Sequence, residues 1–347
     1  MRRIRRIRLI RPMSADKKRI LTGDRPTGKL HLGHYAGSLA NRVQLQHAYD
    51  TFIMVADVQA LTDNFIHPEK VRNNVREVVM DNLAVGIDPK HVTLFIQSLI
   101  PEIAELTVFF SNLVTLSRLQ RNPTVKNEIK EKGHLFRGGN VTYGFLGYPV
   151  SQAADILFCR AHLVPVGEDQ RPMIEQTREI AEKFNSIYGE VFPLPEAKIP
   201  PLGRLAGLDG KKMSKSLNNA IYLADAPHVV REKIKHAKTD SGAEVTYDPE
   251  KKSALSNLMT YYTLATGQSY QAIEEEFKGI TSYAVFKEKL ADVLTAFLSP
   301  MQTRRSRYEK DPSLVDDILR AGTARAKQIA EETMALVRER MKIDYFS

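Results

Sequence analysis

His31 and His34 stand three residues apart in Lys29-Leu30-His31-Leu32-Gly33-His34, and imidazoles at that spacing share one face of a helical turn. Upstream, Ile20, Leu21 and Thr22 are β-formers and Gly23 to Gly28 is a turn-rich break; from Leu32 the apolar spacing is helical. The stretch predicts a strand, a tight loop and a helix N-terminus, a junction where free backbone N–H groups and the helix dipole favour phosphate. Two imidazole donors there suit a nucleotide phosphate whose charge grows during reaction. Gly33, without a side chain, lets a flat ligand approach the backbone. A P-loop reading of Gly23-x4-Gly28-Lys29 fails on two counts. Leu30 stands where a Ser/Thr hydroxyl would hold magnesium, and Pro26 removes an N–H from the phosphate cradle.

A second stretch, Gly210-Lys211-Lys212-Met213-Ser214-Lys215-Ser216, packs three lysines and two hydroxyls behind a glycine. Alone it reads as a solvated basic turn. Taken together, H-L-G-H and K-M-S-K-S resemble the two signatures of class I aminoacyl-tRNA synthetases. G-D-R-P-T-G, Y-P-V-S-Q-A-A-D-I and V-P-V-G-E-D-Q extend the resemblance to the tryptophan branch of that class, from about Arg19 to the C-terminus. It implies an α/β fold, a Rossmann-like doubly wound parallel sheet with a C-terminal all-helical domain. It also implies a cytoplasmic homodimer that uses ATP and Mg2+ to activate L-tryptophan and transfers it to the 2′-OH of the terminal adenosine of tRNA(Trp).

That resemblance assigns catalytic roles to His31, His34, Lys212 and Lys215. ATP contacts fall to Arg25, Thr27, Gly33, His34, Gly167, Asp169 and the loop residues Lys212, Met213, Ser214, Lys215 and Ser216. The tryptophan pocket would be made by Leu21, Gly23, Gln59, Tyr148, Gln152, Asp155, Val164, Val166 and Gln170. Asp155 has a chemical reason as well: an indole N–H only donates, so its site needs an acceptor. Asp155 also reads as a helix-surface acid, but Ala153, Ala154, Ile156 and Leu157 around it favour burial. Arg25, Gln59 and Gln152 replace the Gln, His and Met of the commonest bacterial pattern, as in the branch that shares the G-D-R-P-T-G spelling. No protein-held metal site is expected.

A tyrosine-activating enzyme is the nearest alternative, since it shares the fold and the pocket aspartate. A phenol both donates and accepts, and such sites usually add a tyrosine beside the aspartate; none lies between Met1 and His34. An RNA- or protein-binding paralogue without activity is disfavoured by the intact signatures. Another HxGH adenylyltransferase would leave the helical C-terminal third without a purpose.

The remaining composition is permissive. The 347 residues suit one large or two modest domains, and 50 Lys and Arg against 41 Asp and Glu favour a polyanionic partner. The single cysteine, Cys159, excludes an internal disulfide framework and reads as helix core. No apolar run is long enough to span a membrane. Residues 1–18 form a basic extension, read as a solvated arm or an upstream extension with Met13 as the start, an organellar address being the alternative.

Along the chain, 19–216 alternates strands (20–22, 51–56, 92–96, 163–166) with helices (33–48, 68–85, 102–119, 148–161, 172–188), the pattern of a catalytic parallel-sheet domain. Residues 120–147 loosen into a charged, glycine-bearing mobile insertion, and 192–210 carries too many prolines and glycines for a regular element. From 217 to 347 only helical periodicity remains, with clear pieces at 256–264, 271–277, 283–298, 314–319 and 323–341. That part is expected to bind tRNA and its anticodon. Arg304, Arg305 and Arg307 beside Tyr308 offer cations and a stacking ring; the same cluster also reads as a solvated helix face.

Overall fold

The computed structural model describes residues 17–346 except 132, 134–135, 137–139, 200–204 and 215–216. The basic extension up to residue 16, and Lys215 and Ser216 of the lysine loop, lie outside the described residues. Five parallel strands build one sheet: β1 (Arg19–Asp24), β2 (Asp50–Val55), β3 (Val92–Ile96), β4 (Leu163–Pro165) and β5 (Glu196–Lys198), in spatial order β3-β2-β1-β4-β5. The order reverses between β1 and β4, so a crevice opens beyond their C-terminal ends, the usual ligand position in such sheets.

Both faces of the sheet are covered, as parallel strands require. Alternate residues of β2 divide between two cores: Ile53 and Val55 face one way, Phe52 and Met54 the other. The first core takes in α4 (Pro68–Val85) and the helices of the C-terminal part: α10 (Pro227–Lys235), α11 (Ser253–Thr266), α12 (Tyr270–Glu276) and α13 (Tyr283–Lys310). The second takes in α5 (Glu102–Ser111), α8 (Tyr143–Leu157), α9 (Arg171–Tyr188) and the last helix, α14 (Ser313–Met341). Cys159 is buried in that second core, and burial pushes its thiol up to about 12, so it serves as packing.

Several expectations need correction. The helix after the first loop is interrupted: α1 (Leu32–His34) runs into a π-helical turn (Tyr35–Leu39) before α2 (Ala40–Leu45). On it Val43 and Leu45 are half-buried, while Asn41 and Arg42 face inward. The helix expected at 102–119 breaks after Ser111 and restarts as α6 (Leu116–Arg121), capped by the Thr115 side chain, which accepts from the Arg118 N–H. The insertion is ordered at its start, where α7 (Pro123–Glu131) buries Val125 against Tyr148 and Met173. β5 forms inside the proline-rich stretch because three residues suffice to add an edge strand to β4. The pieces expected at 314–319 and 323–341 are one helix. Gly322 is there for contact, since a Cβ would stand 1.9 Å from the Leu94 carbonyl oxygen of β3.

Candidate active site

The histidine turn is fixed by two backbone pairings. Leu32 N–H donates to Ile221 O at 2.9 Å and Leu223 N–H to Leu30 O at 3.0 Å, so the chain just after the lysine loop is bridged to the signature. His31 is extended (φ −125°, ψ 172°) and its backbone N–H donates to His34 Nδ1 at 3.2 Å. An imidazole that accepts at Nδ1 carries its proton on Nε2 when neutral, so His34 is a donor through Nε2. The two rings lie 3.8 Å apart at their centroids, tilted by 43°. His34 lines the crevice; His31 is buried behind it.

The crevice is a cavity of about 330 Å3. It gathers Leu21, Gly23, Gln59, Tyr148, Gln152, Asp155, Val164, Val166 and Gln170, every residue expected to make the amino-acid pocket, together with Arg25, His34 and Gly167. Consecutive residues line it, Leu21 to Asp24 of β1 and Val164 to Gly167 at the end of β4, because the cavity sits beyond the C-terminal ends of both strands. Gly23 is required, because a Cβ would stand 2.8 Å from Met54 O on β2. Gln152 and Asp155, three apart on α8, share its cavity face.

Asp155 is the most unusual of these residues. It is 1% exposed, and its Oδ1 accepts from Gln97 Nε2 at 2.7 Å. The other oxygen, Oδ2, is buried and has no partner among the described residues. Burial pushes the carboxyl up to about 7; the Gln97 amide works against that rise and Asp57 adds to it. Gln97 is oriented in turn, its Oε1 accepting from the Gln59 backbone N–H at 3.1 Å. The Tyr148 phenol is held above its ordinary value by burial and by the carboxylate of Glu128.

The floor nearest β1 holds an ion pair. Arg42 grips Asp24 through two bonds of 2.6 and 3.0 Å and also donates to Gly23 O, while Asn82 donates to Asp24 at 2.9 Å. Burial opposes the charge on Asp24, yet Arg42 and Asn82 outweigh it and hold the carboxyl below its ordinary value. Both Asp24 and Arg42 line the cavity and were missed in the sequence. A signal existed: His34, Ser38 and Arg42 recur every four residues and all three line the cavity. Gln97 carried no local signal, and Asp155 identifies it only through the fold.

The expected nucleotide contacts are less gathered. Thr27, His31, Gly33, Asp169, Lys212, Met213 and Ser214 do not line the cavity. Arg25 reaches the cavity while paired with Asp63. At Gly33 the Met213 sulfur accepts the backbone N–H at 3.3 Å, and a Cβ would stand 3.0 Å from both that sulfur and the His31 ring. Lys212 pairs with Glu131 of α7 at 3.0 Å, both side chains exposed. Gly210 turns with φ +79°, a conformation that suits glycine. Asn219, another residue missed in the sequence, organises this loop. Its Oδ1 accepts from Ser214 N–H at 2.9 Å and its Nδ2 donates to Asp209 at 2.7 Å and to Lys212 O at 3.1 Å.

The arginine cluster of α13 is only partly on the surface. Arg305 is 2% exposed and binds the carboxylates of Asp81, Glu77 and Glu309, so it is not available to grip RNA. Arg304 Nε donates to Ala84 O of α4, and Arg307 lies over the Tyr308 ring at 5.9 Å. The basic pattern that marks 304–308 is blind to the acids of α4, more than two hundred residues away in sequence.

Residues 13–299 match the family described as tRNA synthetases class I (W and Y). The chain is 50% identical over 341 residues to the tryptophan–tRNA ligase of Clostridium longisporum, an alignment covering 95% of this chain and 98% of that one. Its fold superposes on the tryptophanyl-tRNA synthetase of Mycoplasma pneumoniae with a TM-score of 0.82 at 30% identity, covering 94% of this chain and 98% of the other. The Campylobacter jejuni enzyme, solved with ADP and tryptophan, gives a TM-score of 0.80 at 30% identity, covering 93% and 99%.

Proposed function

This chain belongs to the class I tRNA synthetases of the tryptophan and tyrosine group, and within it to the tryptophan–tRNA ligases; we propose that its crevice divides the work of that reaction as follows. The single observation that carries the reading is Asp155, whose buried, unpartnered Oδ2 borders a cavity that Leu21, Val164 and Val166 help to wall. A buried acceptor with apolar neighbours suits an indole N–H, which only donates. Gln97 holds the other oxygen so that the acceptor keeps one orientation. Gln170 takes the amino end of the substrate, with Gln59, Tyr148 and Gln152 completing the wall.

The tryptophan carboxylate attacks the α-phosphorus of ATP; the bond to the bridging oxygen breaks and pyrophosphate leaves. A carboxylate is already nucleophilic at neutral pH, so catalysis rests on positioning and charge stabilisation. His34 donates from Nε2 to a phosphate oxygen, with His31 packed against it. Arg25, Thr27, Gly33, Gly167 and Asp169 would border the nucleotide, and Lys212, Met213, Ser214, Lys215 and Ser216 would close on the pyrophosphate. Lys212 must first leave Glu131, a motion that Gly210 permits. Among the described residues no group of three His, Cys, Asp or Glu could hold a metal. Magnesium would accompany the ATP phosphates as their counter-ion. The terminal ribose 2′-OH of tRNA(Trp) then attacks the mixed anhydride, releasing AMP.

The domain reading follows the same lines: residues 19–216 as the catalytic part with 120–147 as an insertion, 217–347 as the tRNA-binding part, and 1–18 as a basic extension. Arg304 and Arg307 remain candidates for RNA contact. Val58, Val108, Leu116 and Tyr143 are exposed apolar residues around a groove that also reaches Gln59 and Tyr148. Such a patch favours a homodimer whose interface adjoins the pocket. No helix among the described residues is long and apolar enough to cross a membrane, and a cytoplasmic site of action fits that reading. Amino-acid-dependent ATP–pyrophosphate exchange tests the whole scheme. Tryptophan should support exchange and tyrosine should not; exchange driven equally by tyrosine would overturn it.

A further inference from the structure

The loop that carries the histidines is held from behind by a buried charge. The backbone N–H of Leu30, one residue before His31, donates to Asp81 Oδ2 at 2.7 Å. Asp81 lies on α4 and is fully buried, and its other oxygen receives the guanidinium of Arg305 from α13. Arg305 is itself enclosed, its remaining nitrogens bound to Glu77 one turn earlier on α4 and to Glu309 one turn later on its own helix. The carbonyl of Leu30 meanwhile accepts from Leu223 N–H at 3.0 Å. Both polar groups of this one residue are thus spoken for, one by the strand-like bridge beyond the lysine loop and the other by a carboxylate.

We propose that Arg305 and Asp81 are positioning residues for catalysis: the Arg305 guanidinium orients the Asp81 carboxylate, which holds Leu30 and so sets where His31 and His34 meet the phosphate. The physical reason lies in what each partner can replace. Without Arg305, a carboxylate is left buried against one N–H and must reorient, take a proton or draw in water, and each response weakens or redirects the acceptor that holds Leu30. An amide at Asp81 faces donors on both sides and can satisfy only one. A donor serving a phosphate must stay within about 2.7–3.1 Å of it, so a shift of about 1 Å in the turn is felt as rate. The tryptophan pocket should escape, because Asp155 and Gln97 are fixed by α8 and by the residues after β3 instead.

The inference rests on the reading of His31 and His34 as phosphate donors, and the test separates the two. Full-length Arg305→Met, Asp81→Asn, Arg305→Lys and His34→Ala are compared with the parent in tryptophan-dependent ATP–pyrophosphate exchange, with melting temperatures measured alongside. Arg305→Met and Asp81→Asn should lower kcat about 10- to 100-fold while KM for tryptophan stays within about twofold of the parent value. Arg305→Lys, which keeps a charge against Asp81, should recover most of the rate. A folded Arg305→Met enzyme with unchanged kcat and only a lower melting temperature would overturn the proposal. If Arg305→Met does not fold, Asp81→Asn decides by the same criterion; if neither folds, the pair is scaffold for the whole protein and the positioning role is refuted. An unchanged kcat in His34→Ala would instead refute the reading of the histidines.

Discussion

The two halves of the crevice are built differently. The tryptophan side is made of strand faces and one helix face, and its polar group Asp155 is locked by Gln97, itself locked by Gln59. The nucleotide side is made of loops. There Lys212 is engaged with Glu131 on the surface, Met213 fills the space over Gly33, and Asn219 holds the lysine loop by its backbone. The contrast supports a reading in which the amino-acid side is formed in advance, whereas Lys212 would have to leave Glu131 to meet pyrophosphate. Binding and chemistry should therefore respond to different substitutions.

The sharpest way to break that division is Lys215→Ala. A cation that meets charge only as pyrophosphate departs should cost about 10²–10³ in kcat when removed, with tryptophan affinity unchanged; presteady-state and exchange kinetics separate the two. An unaltered kcat would remove the lysine loop from the chemistry. Next in size is Asp155→Ala. It should weaken tryptophan binding by about 1.5–3 kcal/mol, the range for a hydrogen bond to a charged group, and leave ATP binding alone. Calorimetric titration of each ligand decides it, and equal losses for both would mean that the fold was damaged. The smallest effect belongs to Glu131→Gln. Exposed pairs contribute about 0–1 kcal/mol, so freeing Lys212 should change KM for ATP by no more than about fivefold and leave KM for tryptophan untouched. A hundredfold change would make the Lys212–Glu131 contact a true latch.

Sequence reading reached the pocket and missed its supports, for one physical reason. Helix periodicity is local, so Gln152 and Asp155 are assigned to one face from spacing, whereas Leu21, Gly23, Val164 and Val166 are expected only through the family resemblance. Gln97, Asn219 and the Asp81–Arg305 pair matter through contacts made across the fold, and nothing near them in the chain announces it. The cluster at 304–308 shows the cost: a basic helix turn looks the same whether water or the acids of α4 face it, and Arg305 faces the acids. Gly33 is expected to admit a flat ligand, and the group packed against it in the structure is Met213. The interrupted helix after His34 and the short β5 were illegible because a π turn and a three-residue edge strand have too little period to read.

Proton linkage tests most directly the reading of Asp155 as a buried, ionisable carboxylate whose Oδ2 accepts the indole N–H. Burial raises the Asp155 carboxyl to about 7. For an acid raised by folding, the contribution to stability is full below its unfolded value and has been lost once pH has climbed to the folded one, so this group's contribution should fall between about pH 4 and about pH 7 and change little above. An indole N–H favours the ionised form. Tryptophan affinity should therefore increase between pH 6 and pH 8, and binding at pH 7 should expel part of a proton. Titration calorimetry of tryptophan in two buffers of different ionisation enthalpy measures that proton. The account predicts release at pH 7 in the parent protein and none in Asp155→Asn; no release in the parent, or the same release in the variant, would contradict it.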